Sequence, residues 1–401
     1  MTLPLIVYRS LRQHALSTLV AAGSIALAAG LLMVVWMVKE QSQKAFLDTS
    51  TGFDAVLGAR GSKLQLVLNS IFHLEASPGN VAAADFEQIR KHPAVKTAIP
   101  LALGDNYLGY RIVGTAEELF TTVEYSRGKR YVLEAGGRLF GAGQREAVIG
   151  SFAAARLGLK VGDTFQPYHG LAFDPKAQHE EVYTITAVLA PTNTPADKVI
   201  WIPITGIQTM KGHDPRMATD VSAVLIQLRS PTAGFMLDLM YNKQGNRLTF
   251  AYPVAAIIAD LFGKIGWFDR VLALVAYLVA LVAAGSVLAS IYASMSARQR
   301  DLAILRALGA RRRTVFGAVV AEAAMIGALG AILGFAVYIA LLTGVASVIR
   351  TQTGVAIDIM AGHAVLWIAP LAMIGLCALG GVVPALKAYR VPVAETLSPT
   401  S

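Results

Sequence analysis

Five side chains able to bind a metal ion or move a proton fall close together: His169, Asp174, His179, Glu180 and Glu181. The segment around them reads as one hairpin, which could gather imidazole and carboxylate ligands on its surface. The spacing matches no standard zinc motif, and such residues commonly do no more than solvate a loop. No metal is therefore assigned, and His169, Asp174 and His179 stand as the candidates. Ser62 and Lys63 in GARGSK invite a nucleophile reading, but no base can be placed beside them; a glycine-rich turn is the simpler account. His73 and Glu75 have no identifiable partner. No G-x-x-x-x-G-K-[ST] phosphate loop, G-x-S-x-G elbow or H-E-x-x-H helix occurs, and the single cysteine, Cys377, cannot build a Cys/His ligand set. This composition of reactive residues points to transmission rather than catalysis.

A second charged group suits docking. Residues 294–313, SMSARQRDLAILRALGARRR, carry Arg298, Arg300, Asp301 and Arg306. Leu302, Ile304, Leu305 and Leu308 fall on one side of a short helix, and Gly309 is a natural C-terminal stop. The segment lies between two long apolar runs and is too short to fold alone. Docking on another protein is its first reading; an amphipathic helix lying on anionic lipid is the alternative.

The elements that position these groups follow from composition. Of 401 residues 55% are hydrophobic and only 15% charged, too apolar for an ordinary soluble domain. Crossing a bilayer core takes about 20 apolar residues. Ala15–Val38, Val271–Ala293, about Val315–Val345 and about Ala364–Val383 qualify. The formal net charge of +9 collects at the N-terminus, in the 294–313 loop and in the tail. Basic residues flanking spans are retained in the cytosol, so these three segments share the inner side. A nucleic-acid footprint would instead cluster them on the folded domain, and nucleic acid is excluded as a partner. The first run is longer than a signal-peptide core and lacks a small-x-small cleavage site, so it reads as a retained anchor with Trp36 at the interface.

The fold class is thus a membrane protein of four transmembrane α-helices with a large α+β extracytoplasmic domain inserted between the first and second. The expected order is a cytosolic N-terminus at 1–14, spans at 15–38, 267–293, 314–345 and 363–386, the inserted domain at 39–266, the cytosolic loop at 294–313, a short outer loop at 346–362 and a cytosolic tail at 387–401. Within the insertion, a helix is expected over 81–92 and strands over 98–115. A helix over 151–157 should stop at Gly158, and YTITAVLA, PTNTPAD and KVIWIPI read as strand, long turn, strand. Ile257, Ile258, Leu261, Phe262 and Ile265 recur at helical spacing with no turn before the second span. They read as a stalk continuing that span outward, or as a helix merely packed on the domain. In the third span, a carboxylate at the depth of Glu322 is costly and faces other helices. It either fastens the bundle or lines a polar path for cargo. Gly327, Gly330 and Gly334 lie further along the same span, and the Gly330/Gly334 spacing allows close helix approach, which favours the fastener.

These residues together resemble the FtsX/MacB-type permeases of ABC transporters, a family that includes the lipoprotein-releasing permeases. SARQRDLAILRALGARRRTV is similar to that family's coupling helix, AEAAMIGALGAILG to its third span, and PALKAYRVPVAETL to its terminal signature. GGRLF, EAVIGSFAAARLGLKVGDTF and KVIWIPI resemble its periplasmic core domain. Asp301 stands where the family usually has Glu, the tail is out of register by about one residue around Arg390–Glu395, and residues 53–80 match no cargo-specific pattern. The resemblance implies a non-catalytic subunit in the bacterial inner membrane with both termini cytosolic. It implies a cytosolic ATPase dimer that binds ATP and Mg, with no cofactor in this chain, docked through Arg298, Arg300, Asp301, Leu302, Leu305, Arg306, Leu308 and Gly309. It also implies a second permease copy, with membrane lipid and a periplasmic or outer-membrane protein as further partners. The implied activity is mechanotransmission acting on a lipoprotein, lipid, peptide or amphipathic drug. The alternatives are activation of a periplasmic cell-wall hydrolase and membership of a zinc-handling ABC assembly.

Overall fold

The computed structural model describes residues 3–49, 52–126, 128–212, 219–297, 309–359 and 361–390. The chain divides into two compact units, one from Met1–Gln41, Gly266–Ser347 and Asp358–Ser401, the other from Ser42–Ile265 and Val348–Ile357.

The first unit is helical. A short helix α1 (Leu3–Gln13) precedes α2 (Ala15–Thr49). Two long helices come after the insertion, α9 (Val254–Ala297) and α10 (Arg312–Thr353), and α11 (Val365–Arg390) closes the described chain. Hydrocarbon offers backbone groups no partner, so a helix that satisfies its own N–H and C=O groups is the form such sequences take. Four of these helices are long and apolar enough to cross a membrane. Two features differ from the sequence reading. Residues 3–13 are helical, with Val7 and Ser10 buried, and α10 continues to Thr353, into the segment expected as an outer loop.

The second unit is a mixed sheet dressed with helices. Its elements are β1 (Ala55–Ala59), α3 (Lys63–Ser70), α4 (Ala83–Arg90), β2 (Val95–Tyr107), β3 (Tyr110–Thr115), α5 (Glu118–Thr121), β4 (Glu124–Ser126) and β5 (Lys129–Arg130). They continue with β6 (Glu146–Ile149), α6 (Ser151–Leu157), β7 (Thr164–Phe165), β8 (Tyr168–His169), β9 (Tyr183–Val188), β10 (Ile200–Pro203), α7 (Ile204–Gln208), β11 (Ala223–Leu228), α8 (Pro231–Asp238) and β12 (Leu248–Ala251). The strand order is β12-β1-β11-β2-β3-β10-β6-β9-β7, with β8 paired to β2. The β3/β10 and β6/β9 pairs are parallel. An inserted domain of helices and strands was expected between the first and second spans as α+β, and it is a mixed α/β sheet domain.

Side chains alternate across a strand, and the core obeys that rule. Val56, Val113, Val148, Trp201 and Leu225 join one cluster, while their neighbours Leu57, Ile112, Ile149, Ile202 and Ile226 fall on the other face. With both faces covered, the strands read as continuous apolar runs such as VIWIP, and β10 and β12 are buried throughout. Helix α6 ends where the sequence places its stop, at Gly158 in the left-handed conformation (φ 69°).

The reactive groups in the 53–80 segment have structural roles. Ser62 caps α3, accepting from the Gln65 amide at 3.5 Å, and Lys63 pairs with Asp238 at 2.5 Å. His73 is half-buried and packs edge-on against Trp201, ring centroids 5.6 Å apart. Burial, then the charge of Arg111, pulls its pKa down to about 3 against a hydrogen bond to the Asn69 backbone. The folded pKa lies below the unfolded value near 6.5, so the domain favours neutral His73. That stability is fully present above about pH 6.5 and is lost as pH falls from there toward 3. Thermal unfolding measured from pH 7 to pH 4 should show stability declining by roughly 1 kcal/mol per pH unit from this group. His73→Gln should flatten that slope; an unchanged slope would contradict the assignment.

Candidate functional site

In the first unit the site is the packing of α10, built from small residues. The segment AEAAMIGALGAILG places glycine or alanine at nearly every position that meets another helix. A Cβ added at Gly330 would lie 2.5 Å from Ile25 Cβ and 2.8 Å from the Ala22 carbonyl, and one at Gly334 would lie 3.0 Å from Ala29 Cβ. The fit is reciprocal, since a Cβ at Gly30 would lie 2.6 Å from Val337. On another side, Gly327 abuts Cys377 and Ile374 of α11, and Gly381 of α11 abuts Ala323. Backbones that approach this closely gain dispersion contacts where no hydrophobic driving force separates helix from lipid. Glu322 accepts a hydrogen bond from the Ser10 hydroxyl, and Ser10 is only 1% exposed. The partner comes from α1, a helix within the segment expected only as a cytosolic N-terminus; the amphipathic pattern of residues 3–13 is the signal that could have found it.

At the end of α10 nearest the Arg-rich loop, Arg312 lies over the Tyr389 ring at 5.5 Å and Lys387 over Tyr292 at 4.1 Å. These cation–π contacts link α9, α10 and α11. Arg298, Arg300, Asp301, Leu302, Leu305, Arg306 and Leu308 lie outside the described residues. Gly309 is described and has φ 96°, the left-handed region that glycine enters without strain.

In the second unit the expected stalk residues are on α9, which runs unbroken from Val254 to Ala297. Val254 and Ile258 are buried in the main core cluster, with Ile257 and Phe262 packed against it. Leu261 is half-buried and Ile265 is 45% exposed. The first turns are therefore packed on the domain, and only the later part of the stripe leaves it.

A second helical segment belongs to the same unit. Residues 348–357, the end of α10 and the few residues after it, cluster with the inserted domain. Lys198 Nζ donates to the Gln352 carbonyl at 2.8 Å, and Arg350 lies over the Phe152 ring at 5.5 Å. The receiving turn is PTNTPAD. Asp197 organises it by accepting from the Thr192 and Asn193 amides at 2.8–3.0 Å and from the Thr192 hydroxyl at 2.6 Å. Burial still holds the Asp197 carboxyl above its ordinary range, with these hydrogen bonds acting in opposition.

Of the metal candidates, His169 and His179 come together, but not with Asp174. Asp174 is exposed and accepts from the Lys176 amide at 2.9 Å within its own turn. The carboxylate beside the two histidines is Asp105, from β2. It is far away in sequence and gave no signal beyond a single acidic residue in β2.

Four apolar helices and a mixed α/β insertion define a multi-pass membrane protein. The family model described as the MacB-like periplasmic core domain matches residues 15–234, and that of the FtsX-like permease C-terminal region matches residues 273–393. The chain belongs to the FtsX/MacB-type ABC-transporter permease family. Such permeases are generally non-catalytic membrane subunits that work with a cytosolic ABC ATPase. Among solved structures, the chain is similar to the periplasmic region of MacB from Actinobacillus actinomycetemcomitans, at 12% identity over 54% of this chain and 97% of that one, TM-score 0.35. No curated protein matches it.

The packing at Gly330 makes an internal comparison available. Gly344 lies on the same helix with nothing within 4 Å of an added Cβ. Gly330→Leu should destabilise the detergent-solubilised protein by about 1–3 kcal/mol, as overpacking does, while Gly344→Leu should change little. Equal shifts in thermal unfolding midpoint would contradict the interface.

Proposed function

We propose that this chain converts ATP-driven motion of a cytosolic ATPase dimer into displacement of its inserted domain, at the outer face of the bacterial inner membrane. Both termini and residues 294–313 lie in the cytosol, as the concentration of Arg and Lys there favours. The observation that carries the reading is α9. One hydrogen-bonded helix has its first turns anchored in the core of the inserted domain and its last turns at the Arg-rich loop. At about 1.5 Å per residue, a 44-residue helix is roughly 66 Å long, more than twice the hydrocarbon thickness. The end of α10, held by Lys198 and by the stacking of Arg350 on Phe152, supports a second line of transmission.

The ATPase docks on the 296–309 segment. Arg298, Arg300, Asp301 and Arg306 set its orientation, while Leu302, Leu305 and Leu308 fill its groove. ATP and Mg belong to that ATPase, since this sequence has no phosphate loop. A second copy of the permease completes the assembly. The cargo is a lipoprotein, lipid, peptide or amphipathic drug rather than a hydrophilic solute, because Glu322 is the one charged side chain within the four apolar runs.

Leu302→Asp or Leu305→Asp places a charge in an apolar contact. Losing such an anchor costs about 2 kcal/mol or more, so ATPase affinity should fall at least roughly 30-fold. The measurement is binding of the purified ATPase to permease in liposomes, and unchanged affinity would reject the docking.

A further inference from the structure

The hairpin carrying His169 and His179 is built onto β2 with more care than a solvated loop needs. The β2/β3 pairing shifts register between Leu103 and Asp105. A bulge of this kind re-aims the side chain next to it. The Asp105 side chain is fully buried. Strand β8 pairs antiparallel with β2 so that Asp105 sits directly opposite His169, and side chains opposite one another share a face. The return of the hairpin brings His179 alongside: the His169 amide donates to the Ala177 carbonyl at 2.7 Å, and the His179 amide to the Pro167 carbonyl at 2.8 Å. Buried Asn106 fixes the assembly by donating to the Gly170 and Ala172 carbonyls at 2.9 and 3.1 Å.

Three ligand atoms converge as a result. His169 Nδ1 and His179 Nε2 each lie 3.4 Å from Asp105 Oδ1, and all three lie within 4.8 Å of one another. The orientation of His179 is set from behind, where its Nδ1 lies 2.9 Å from the Lys211 carbonyl oxygen. A carbonyl only accepts, so Nδ1 carries a hydrogen and Nε2 is the ring atom turned to the Asp105 carboxylate. An imidazole nitrogen and a carboxylate facing each other in a buried site can share a proton or a metal ion. The separation also fits a shared metal ion. At 3.4 Å the atoms are beyond the usual 2.7–3.2 Å of an N–H···O bond. Ligands about 2.05 Å from a tetrahedral ion lie roughly 3.3 Å apart.

We propose that Asp105, His169 and His179 form a binding site for a divalent transition-metal ion of the Zn²⁺ type, with the Lys211 carbonyl as the group that fixes the His179 tautomer. Two imidazoles and one carboxylate suit zinc and its neighbours rather than Ca²⁺ or Mg²⁺, which take oxygen ligands. His169 is 56% exposed, which leaves the site a solvent-facing side where water can complete the coordination. The ion would clamp the 167–179 hairpin to β2. The site lies wholly within the inserted domain and does not depend on how the permease works.

The test uses the full-length protein in detergent, stripped with a chelator and titrated with ZnCl₂ by calorimetry, with metal content measured by elemental analysis. One Zn²⁺ per chain is expected, together with a rise in thermal unfolding midpoint. His169→Ala, whose exposed side chain can be lost without harming the fold, should weaken binding at least roughly 100-fold, since even partners of ligands cost 10–100-fold. Asp105→Asn should do the same, and Asp174→Asn, in the same hairpin but outside the trio, should bind as wild type. Metal-free His169→Ala should melt with metal-free wild type. No zinc binding, or zinc bound by His169→Ala as tightly as by wild type, would overturn the proposal.

Discussion

A backbone that enters hydrocarbon must satisfy its own hydrogen bonds, and the helices that result must then find each other without help from water. Much in the first unit derives from that constraint. Lipid is as apolar as leucine, so association depends on how closely backbones approach. The chain meets this with glycines at the points of contact: Gly30 against Val337, Gly330 against Ile25, Gly327 against Cys377 and Gly381 against Ala323. Helix α10 is the common member of these contacts. The one carboxylate within it, Glu322, is met by a buried serine from α1 rather than left facing lipid. That pairing suits a residue that fastens helices.

The inserted domain is governed by a different solvent and a different rule. Strict alternation lets one sheet present apolar residues to both faces, so helices can pack on each. Helix α9 enters this core through Val254 and Ile258, and the end of α10 meets the turn organised by Asp197. Two of the long apolar helices thus end in well-packed parts of a folded domain. An α-helix is stiff because every residue adds a hydrogen bond to a ladder already formed, and α9 has no proline to interrupt it.

The four spans, the α/β character of the insertion and the stop of α6 at Gly158 were legible because each depends on local pattern: run length, period and a glycine in the left-handed region. The close approach at Gly330 and Gly334 could be suspected from spacing, but their partners on α2 could not. What stayed hidden depends on contacts between distant segments. The helical state of residues 3–13 carries a buried serine that only makes sense beside Glu322. The extension of α10 to Thr353 is stabilised by Lys198 and the Phe152 ring, more than 150 residues away. Asp105 joins His169 and His179 only because β8 pairs with β2, and strand pairing across that distance leaves no trace in local periodicity.

Helix continuity is the point at which the account is most exposed. Residues Gly263, Lys264 and Ile265 of α9 are exposed, so a flexible Gly-Ser insertion there can interrupt the ladder with little effect on packing. Spin labels on a cysteine placed at exposed Val161, in a Cys377→Ala background, would report the separation between two copies by pulsed electron resonance, with and without ATP and the ATPase. An ATP-dependent distance change is expected in the intact chain and should disappear in the interrupted chain while ATP hydrolysis continues. A distance change of the same size in both chains would contradict that expectation.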